Sequence, residues 1–311
     1  MSELVVSLPS DPGLFEAMAS EPGLELISWD LDGAAPREHI DIVVPPYLGG
    51  TARLAALAGV ETRLVQWQAI GYDGVGDALP HGTVFANAAT VHEGSTAELA
   101  LALILASQRG IPDFVRAGDE GRWLGSQQPS LADRRVLLVG YGGVSQAIEA
   151  RLAGFEVEIE RIARTAREER NLAGETVPVR GFDELHACLA TADIVVIGVP
   201  LTPETTRFID AAALAAMPDG ALLVNVGRGP SVDTDALVAE LQTGRLRAAL
   251  DVTDPEPLPS DHPLWSCPGT LISPHVGGNS NAMMPRVTAL LRRQIAHLRA
   301  GEPLENLVNP F

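Results

Sequence analysis

Short apolar runs alternate with helical patterns from one end of the chain to the other, and no other feature constrains the fold as strongly. The early runs are LVVSL, LELISW, DIVVP, RLVQW and GTVFA, and the later ones are RRVLLVG, FEVEIERI, DIVVIGV, ALLVNVG, RAALDV and GTLISP. Strands that are separated by helices form parallel sheets whose two faces the helices cover. The two series therefore predict an α/β protein with two doubly wound parallel-sheet domains.

Two long helical patterns help to organise the chain. The apolar segment from Glu93 to about Arg109 is a candidate for the link between the two series of strands. A second helix, from about Asn279 to Ala300, follows the last strand, and the tail GEPLENLVNP behind it is expected to return to the first domain. The polar segment 118–135 is expected to be a loop that is either disordered or laid across a partner subunit.

The charged residues exclude several classes of function. The 311 residues carry a formal net charge of −18, which disfavours nucleic acid and anionic membranes as partners because both need a basic surface. All 22 Lys and Arg residues are arginines. Chemistry that depends on lysine, such as Schiff-base catalysis or a Walker-type phosphate loop, is therefore excluded.

Signals for export, membrane insertion and metal binding are missing from the sequence. No apolar run approaches the roughly 18 residues of a membrane span, and MSELVVSLPSDPG lacks the basic flank and cleavage site of a signal peptide. We therefore expect a cytoplasmic protein. Cys188 and Cys267 are too few for a disulfide framework, and the histidines show no ligand spacing on a helix, so we expect no metal.

The segment RRVLLVGYGGVSQAIEARL has the pattern of a dinucleotide-binding turn. A buried-strand run leads into Gly140 and Gly142, which fit the first two positions of G-x-G-x-x-G, and a helical pattern follows. The first glycine permits the turn, and the second lets the pyrophosphate approach the helix N-terminus. Ser145 takes the third position, where its Cβ and hydroxyl are expected to loosen the packing of helix on strand slightly.

The next predicted strand ends in RIARTAR, without the acidic residue that usually binds the ribose hydroxyls. Ala163 stands at that place, and Arg164, Thr165 and Arg167 follow. An arginine suits a 2′-phosphate better than a free 2′-hydroxyl. The segment therefore favours NADP over NAD, although a solvated basic loop is the alternative.

The later motifs occur in a specific order, N-R-G, then D-V-x-x-x-E-P, then P-H-x-G-G. They lie in VVIGVPLTPETTRFID (195–210), NVGRGPSVDTDAL (225–237), RAALDVTDPEPLP (247–259) and TLISPHVGGNS (270–280). With the glycine turn, these segments closely resemble the D-isomer-specific 2-hydroxyacid dehydrogenases, a family that includes glyoxylate/hydroxypyruvate reductases, phosphoglycerate dehydrogenases and formate dehydrogenase. The resemblance runs from about Thr83 to His275, and LVQWQAIGYDGV (64–75) extends it more loosely.

The resemblance implies an enzyme of two domains that acts on a small 2-keto or D-2-hydroxy acid in the cleft between them. Residues 1–97 plus 284–311 would form a flavodoxin-like substrate domain, and residues 98–283 would form the inserted Rossmann domain. The family usually forms homodimers through the cofactor domain. The helix that begins at Glu93 and the 118–135 loop would supply that contact.

Residues at several strand ends are expected to contact the dinucleotide. The turn, the arginine segment and the resemblance together assign this role to Gly140, Gly142, Val144, Arg164, Thr165, Val199, Pro200, Thr205, Val226, Asp251 and Gly277. The resemblance also assigns substrate contacts to Tyr47, Leu48 and the backbone around Ile70 and Gly71. Trp265 is a further candidate for the wall of the substrate pocket.

The chemistry of 2-keto acid reduction points to three catalytic residues. The substrate carboxylate needs a cation, and Arg228 follows a strand end between two glycines, where its guanidinium could form two hydrogen bonds. His275 also follows a strand end and is the expected proton donor, because imidazole titrates near neutrality. Glu256 is expected to accept a hydrogen bond from the imidazole and favour its charged form. Asp254 is the rival carboxylate.

Three other functions can be compared with the sequence, and it disfavours the first two. A phosphoglycerate dehydrogenase would need cations for a phosphate, whereas residues 1–97 hold three arginines against thirteen acidic residues. Formate dehydrogenase resembles this fold, but it has a glutamine where this chain has Glu256. A dinucleotide-sensing, corepressor-like binding protein is the alternative from a different class, because the Arg–Glu–His set alone does not exclude it.

Overall fold

The computed structural model describes residues 3–310, and its internal contacts divide the chain into two compact units. The first unit contains the residues up to His92 together with those from Ser280 onward, and the second contains Glu93–Asn279. The sequence places the same divisions after residues 97 and 283. The observed divisions therefore fall five and four residues earlier, so that the whole helix that begins at Glu93 belongs to the second unit.

Every apolar run that the sequence marks as a strand forms one. In chain order the strands are β1 (Leu4–Leu8), β2 (Leu24–Ser28), β3 (His39–Val43), β4 (Glu61–Gln66), β5 (Phe85–Ala86), β6 (Arg135–Val139), β7 (Glu158–Ala163), β8 (Arg167–Arg170), β9 (Thr176–Gly181), β10 (Ile194–Ile197), β11 (Leu222–Asn225), β12 (Arg247–Leu250) and β13 (Thr270–Ile272). Strands β8 and β9 were not predicted.

The helices cover the sheets. They are α1 (Pro12–Met18), α2 (Val75–Ala78), α3 (Glu93–Gln108), α4 (Ile111–Asp119), α5 (Gly143–Leu152), α6 (Leu185–Leu189), α7 (Ala211–Ala216), α8 (Thr234–Gln242) and α9 (Met283–Ala300). Short 3₁₀ turns lie at Thr51–Leu57, Phe182–Glu184, Gly229–Ser231 and Pro263–Ser266. The last helix begins four residues later than the sequence pattern indicates.

The first unit is a five-stranded parallel sheet in the order β2-β1-β3-β4-β5. One apolar face of α9 is buried in the same core cluster as β1 and β4, which ties the end of the chain to its beginning. The tail then reaches the edge strand, where Asn87 donates its backbone N–H to Asn306 O and Val308 donates to Phe85 O. The tail therefore returns to the first domain, as the sequence predicts.

The second unit is an eight-stranded sheet in the order β13-β12-β11-β10-β6-β7-β9-β8. Its central strands are buried on both faces, and the two core clusters on those faces include α3 with α5 on one side and α6, α7 and α8 on the other. All pairs are parallel except β8 with β9. This is the doubly wound arrangement predicted from the alternation of strands and helices.

The antiparallel hairpin β8–β9 is the main element that the sequence reading missed. Its outer strand reads REER and is largely exposed, so it lacks the apolar run used to recognise the other strands. The turn is built on Asn171, whose side-chain oxygen accepts hydrogen bonds from the backbone N–H groups of Ala173 and Glu175. Gly174 adopts φ 83°, a left-handed conformation that favours glycine.

Residues 3–310 contain neither a membrane-spanning helix nor a cluster of metal-binding side chains. No helix in this part of the chain is long and apolar enough to cross a bilayer. Within the same residues, no three His, Cys, Asp or Glu side chains are grouped so that they could hold a metal ion.

Candidate functional site

The carboxyl ends of the parallel strands in the second unit carry most of the predicted site residues. Arg164 follows β7, Pro200 follows β10, Arg228 follows β11 and His275 follows β13. In an open parallel sheet, the carboxyl ends of neighbouring strands meet at one edge, which is where such folds bind their ligands. The strand order therefore brings together side chains that are up to 111 residues apart in the sequence (275 − 164 = 111).

The turn after β6 has the shape that a dinucleotide needs. Gly140 adopts φ 89°, and a Cβ placed on it would lie 2.8 Å from the backbone nitrogen of Val199. A Cβ on Gly142, in contrast, would meet no atom within 4 Å. Gly140 is thus required for the packing of two strand ends. The open space at Gly142 leaves room for a pyrophosphate to approach the N-terminus of α5.

Ser145 tightens the turn, contrary to the expectation from the sequence. The residue is 1% exposed, and its hydroxyl donates a hydrogen bond to Gly140 O at 2.5 Å. A Cβ on Gly198 would lie 2.8 Å from the serine oxygen, so the hydroxyl fills the space that this glycine leaves. The serine therefore fastens α5 to the turn instead of loosening it.

The arginine segment after β7 contains an exposed guanidinium, that of Arg164, and one that is hydrogen-bonded to the backbone, that of Arg167. Arg164 is exposed, and its Nη2 lies 3.7 Å from Oε2 of Glu204. Arg167 begins β8 and donates from Nη2 to Tyr141 O at 3.1 Å and from Nε to Glu169 at 2.8 Å. Thr165 is exposed between them. The anchored arginine lies against the glycine turn itself.

Ala163 does not present a side chain to a ligand. It is 8% exposed and belongs to an apolar cluster with Tyr141, Val177 and Val179. A carboxylate introduced at this position would be buried among apolar groups, at a considerable cost in free energy. The first exposed side chain after β7 is therefore Arg164, one residue beyond the position that the sequence pattern indicated.

A buried polar network fixes the glycine turn to the β8–β9 hairpin. Glu149 on α5 accepts hydrogen bonds from Tyr141 Oη at 2.6 Å, from Arg161 Nε at 2.7 Å and Nη2 at 2.8 Å, and from Asn171 Nδ2 at 2.9 Å. Burial and the hydrogen bond to Glu149 raise the pKa of Tyr141 to about 12. The hydrogen bonds from Arg161, Tyr141 and Asn171 outweigh the effect of burial and lower the pKa of Glu149.

His275 and Glu256 form a pair at the strand edge. Nδ1 of His275 lies 2.5 Å from Oε1 of Glu256, and both side chains are close to half exposed. A carboxylate can only accept here, so Nδ1 carries the proton, and Nε2 is left to meet a ligand. The carboxylate at the ring is that of Glu256, not that of its rival Asp254.

The backbone of His275 is held in a left-handed conformation, with φ 52°. Asp251 stabilises this conformation, because its Oδ1 accepts from Ser273 Oγ at 2.6 Å and Val276 N at 2.9 Å, and its Oδ2 accepts from Gly277 N at 2.9 Å. The N–H of His275 also donates to Asp251 O at 2.7 Å. Asp251, expected only as a coenzyme contact, thus organises the loop that carries the histidine, and the sequence reading missed Ser273.

Arg228 lies in a turn that is braced by Asn225. The Asn225 side chain donates to Arg228 O at 3.0 Å and accepts from Gly227 N at 3.0 Å, while Arg228 Nη1 donates to Gly227 O at 2.7 Å. Arg228 is half-buried, and Asn225 is 1% exposed. Asn225 therefore fixes the backbone of the turn from which the arginine side chain extends.

Gly229 joins the arginine turn to the segment that carries Glu256. A Cβ on Gly229 would lie 1.8 Å from Thr253 O and 2.9 Å from Asp254 N, so only glycine allows the two backbones to touch. Thr253 is itself fastened, because its hydroxyl donates to Pro255 O at 2.9 Å. The relative position of Arg228 and Glu256 is set by this backbone contact.

The remaining predicted coenzyme residues differ in exposure. Val144 is half-buried on the first turn of α5, and Pro200 is exposed. Val199, Thr205, Val226 and Gly277 are buried. Thr205 is 2% exposed. Its hydroxyl donates to Pro200 O at 2.6 Å and accepts from Thr202 N at 2.8 Å, and these two hydrogen bonds stabilise the loop after β10.

The predicted substrate residues fall in both units. In the first unit, Tyr47 is half-buried and stacks on His92 with ring centroids 5.6 Å apart, Leu48 is 81% exposed, and Ile70 and Gly71 lie in a partly exposed loop after β4. In the second unit, Trp265 is 52% exposed. Its Nε1 donates to Pro259 O at 2.8 Å, which fixes the indole to the segment that follows Glu256.

Comparisons with known proteins point to one family. The sequence profile of the D-isomer specific 2-hydroxyacid dehydrogenase NAD-binding domain matches residues 101–277. The chain is 32% identical over 263 residues to a glyoxylate reductase of Korarchaeum cryptofilum, covering 81% of this chain and 77% of that protein. It is 28% identical over 305 residues to the human glyoxylate reductase/hydroxypyruvate reductase, covering 93% and 92%.

A solved structure resembles the whole chain. The D-isomer specific 2-hydroxyacid dehydrogenase from Xanthobacter autotrophicus Py2, in complex with NADPH and MES, has a TM-score of 0.82 and 29% identity, covering 100% of this chain and 99% of that one. The matching profile spans more than half of the chain, and it includes the glycine turn, Arg228, Glu256 and His275. The chain therefore belongs to the D-isomer specific 2-hydroxyacid dehydrogenases, enzymes that use a nicotinamide dinucleotide to act on a CH–OH group.

Proposed function

We propose that the protein reduces a small, unphosphorylated 2-keto acid of the glyoxylate or hydroxypyruvate class to the D-2-hydroxy acid, with NADPH preferred over NADH. The observation that carries the proposal is the hydrogen-bonded His275–Glu256 pair, with Glu256 in a segment whose backbone closely approaches Gly229, the residue after Arg228. The names of the relatives, glyoxylate reductase and glyoxylate/hydroxypyruvate reductase, support the substrate class.

His275 acts as the general acid in this proposal. When bound, the reduced nicotinamide supplies a hydride to the carbonyl carbon, and the carbonyl oxygen must then gain a proton. Nδ1–H of His275 is hydrogen-bonded to Glu256, so Nε2–H is the group that can donate this proton. The neutral ring regains its proton from solvent, and in the oxidation direction the same nitrogen acts as the base.

Arg228 binds the substrate carboxylate. A guanidinium can donate two parallel hydrogen bonds to a carboxylate, which orients the substrate as well as holding it. A fixed positive charge at the same strand edge also stabilises the negative charge that develops on the carbonyl oxygen. Asn225 and Gly229 position the arginine for both tasks.

The acidic first unit argues against a phosphorylated substrate. Residues 1–97 hold Arg37, Arg53 and Arg63 as their arginines. Each of them is paired with a carboxylate, that of Glu25, Asp32 and Asp41 respectively. A substrate phosphate needs cations in excess of the surrounding carboxylates, whereas this part of the chain holds three arginines against thirteen acidic residues. This supports glyoxylate or hydroxypyruvate over 3-phosphoglycerate.

The arginine segment supports NADPH. Arg164 is exposed beyond β7, and Thr165 adds a hydroxyl donor beside it. Arg167 is anchored on Tyr141 O at the glycine turn, which keeps a second positive charge close to the expected ribose position. No acidic residue stands in this segment to repel a 2′-phosphate or to bind a free 2′-hydroxyl.

We also propose that two copies of the chain associate through the second unit. Residues 121–130 lack regular secondary structure, and Trp123 is 99% exposed. On the adjoining α4, Ile111 and Val115 are 47% and 59% exposed. A large aromatic side chain in this environment is typical of an interface. Sedimentation velocity should give a dimer, and Trp123→Ser should shift it toward the monomer.

Steady-state kinetics test the proposed reaction. Purified protein should oxidise NADPH in the presence of glyoxylate or hydroxypyruvate, with D-glycerate as the product of the second substrate. Activity on 3-phosphohydroxypyruvate well above that on these acids would favour the phosphoglycerate alternative. Tight dinucleotide binding without turnover of any 2-keto acid would favour a sensing protein of the corepressor type and would overturn the proposal.

A further inference from the structure

One buried carboxylate contacts both of the elements that place Arg167 at the glycine turn. Arg167 donates from Nη2 to Tyr141 O. Glu149 on α5 accepts hydrogen bonds from the hydroxyl of Tyr141 and from Asn171 in the turn of the β8–β9 hairpin. We propose that Glu149 is a positioning residue for coenzyme selectivity, which holds Arg167 where it binds the 2′-phosphate of NADPH. The proposal rests on the proposed function above, since it assigns a further residue to the coenzyme preference of the same site.

The carboxylate of Glu149 is used to its full capacity. Its Oε2 accepts from Tyr141 Oη at 2.6 Å and from Arg161 Nε at 2.7 Å. Its Oε1 accepts from Arg161 Nη2 at 2.8 Å and from Asn171 Nδ2 at 2.9 Å. Glu149 is 6% exposed, and these four hydrogen bonds occupy the lone pairs of both oxygens. A buried carboxylate with all its acceptor sites occupied is held in one orientation, so it fixes its partners relative to α5.

The turn end of the β8–β9 hairpin depends on this carboxylate for its polar attachment. Within residues 3–310, β9 pairs with β7 only through Arg180 and Gly181, which lie at the end of β9 farthest from the turn. Val177, nearer the turn, is buried in the apolar cluster that also includes α5. The hydrogen bond from Asn171 to Glu149 adds the directional contact that fixes the turn on α5.

Strand β8 connects the turn of the hairpin to Arg167. It begins at Arg167 and ends at Arg170, the residue before Asn171, and all four of its residues pair with β9. Because a paired hairpin moves as one element, loss of the contact between Asn171 and Glu149 displaces Arg167 relative to the glycine turn. Glu149 therefore acts on the donor through the hairpin and on the acceptor through the side chain of Tyr141.

The guanidinium of Arg167 is held in place and can still donate to an anion. It donates from Nη2 to Tyr141 O at 3.1 Å, from Nε to Glu169 Oε2 at 2.8 Å and from Nη1 to Thr165 O at 3.4 Å. Within residues 3–310 these contacts use three of its five N–H groups, and the side chain is 38% exposed. Two N–H groups are left for a phosphate near the carboxyl end of β7, where this type of fold binds the adenine ribose.

Asn171→Asp tests the attachment of the hairpin without breaking its turn. The remaining Oδ1 still accepts from the backbone N–H groups of Ala173 and Glu175, whereas the donor to Glu149 is replaced by an oxygen that the carboxylate repels. Leu172→Asp is the matched control, because it adds the same charge to the same turn at a side chain that is 63% exposed.

Glu149→Gln tests the carboxylate itself. The variant should unfold at a lower temperature than the wild type, because it leaves the guanidinium of Arg161 buried without a compensating charge. Glu240→Gln is its control in the same unit, since Oε2 of Glu240 accepts from Arg245 Nε at 2.6 Å and this pair is also partly buried. Asn171→Asp keeps the Glu149–Arg161 pair and tests the same role where Glu149→Gln does not fold.

Binding of two nucleotide fragments gives a readout that does not depend on turnover. By titration calorimetry, Asn171→Asp and Glu149→Gln should weaken the binding of 2′,5′-ADP by about three- to tenfold, the range expected for one hydrogen bond. The Kd of 5′-AMP, which lacks the 2′-phosphate, should stay within about twofold of the wild type. The kcat/KM for NADPH should fall by the same factor as the affinity for 2′,5′-ADP, with kcat unchanged. The two control variants should change none of these values.

A double-mutant cycle tests whether the effect passes through Arg167. Arg167→Ala alone should weaken the binding of 2′,5′-ADP, and adding Asn171→Asp should then cause no further loss. Losses that add in the double variant would show that Asn171 and Glu149 act by another route, which would overturn the proposal.

The outcomes separate this proposal from the proposed function. Wild-type affinity for 2′,5′-ADP in both Asn171→Asp and Glu149→Gln would overturn the positioning role and leave the coenzyme preference intact. Equal weakening of both nucleotides, or the same loss in Leu172→Asp, would show general destabilisation or a charge effect and would also overturn it. A wild type that binds 2′,5′-ADP no better than 5′-AMP would overturn the proposed NADPH preference, and the positioning role with it.

Discussion

Nδ1 of His275 lies 2.5 Å from Oε1 of Glu256, across 19 residues of sequence. The contact joins the loop after β13 to the segment after β12, and it leaves Nε2 as the only ring nitrogen available to a substrate. The loop conformation behind it depends on Asp251, which accepts three hydrogen bonds from the residues around the histidine. In the proposed mechanism, we therefore expect acid–base chemistry to need the carboxylate partner as well as the imidazole.

His275→Ala should lower kcat by about 10² to 10⁴, the usual contribution of a positioned general acid. Glu256→Gln should lower kcat less, because the amide oxygen can still accept the hydrogen bond from Nδ1 and keep the ring oriented. Steady-state kcat of both variants with glyoxylate gives the measurement. A Glu256→Gln variant with the kcat of the wild type would remove the charge of Glu256 from the mechanism.

Arg228→Lys should be a poor substitute, although it keeps the positive charge. An ammonium group cannot form the two parallel hydrogen bonds of a guanidinium, so kcat/KM for glyoxylate should fall by about tenfold or more. The exposed Arg116→Lys is a control with the same chemical change and should have no effect. Equal kcat/KM for Arg228→Lys and wild type would contradict bidentate binding.

Arg164→Ala should weaken the use of NADPH and leave NADH nearly unchanged. A charge-assisted hydrogen bond is worth about 1.5–3 kcal/mol, which corresponds to roughly ten- to a hundredfold in kcat/KM. Glu204→Gln should act in the opposite direction, because its carboxylate lies 3.7 Å from the guanidinium and would compete with a 2′-phosphate. Wild-type protein with equal kcat/KM for both coenzymes would show that the arginines point into solvent.

Gly229→Ala should disrupt both stability and activity. Its Cβ would lie 1.8 Å from Thr253 O, and the two backbones would have to separate. We expect a loss of about 1–3 kcal/mol in the free energy of unfolding, as for other overpacked sites, together with a large fall in kcat. Gly154→Ala is the matched control, since a Cβ there meets no atom within 4 Å. Wild-type kcat in Gly229→Ala would mean that this contact does not align the site.

Tyr141→Phe should change stability at alkaline pH. The pKa of Tyr141 is raised from its ordinary value of 10.0 to about 12, so its contribution is fully present below pH 10 and is lost as the pH rises toward 12. A shift of this size corresponds to a contribution on the order of 2 kcal/mol. Urea unfolding at pH 8 and pH 11 should therefore show a smaller alkaline loss in the variant. An equal loss in both proteins would rule out the linkage.

Alternation of apolar runs and helical patterns determined the fold class and every apolar strand. His275 follows the half-buried edge strand β13 and was located by its P-H-x-G-G motif, whereas the same patterns placed the glycine turn and Arg228 after strands that are buried on both faces. Such strands are recognised from composition alone, since they must be apolar over their whole length. The exposed strand Arg167–Arg170 escaped recognition for the same reason, as its pairing with β9 is satisfied by backbone groups and leaves no apolar signal.

Only the tertiary structure decided how the site residues are held. Asp251 braces the His275 loop through Val276 N, 25 residues away, and Arg167 is anchored on Tyr141 O of the glycine turn, 26 residues away. The burial of Ala163 likewise followed from its place in the apolar cluster that also contains Tyr141. The sequence shows which groups can donate or accept hydrogen bonds. Which donor pairs with which acceptor depends on the distances between elements that lie far apart in the chain, and only the folded structure fixes those distances.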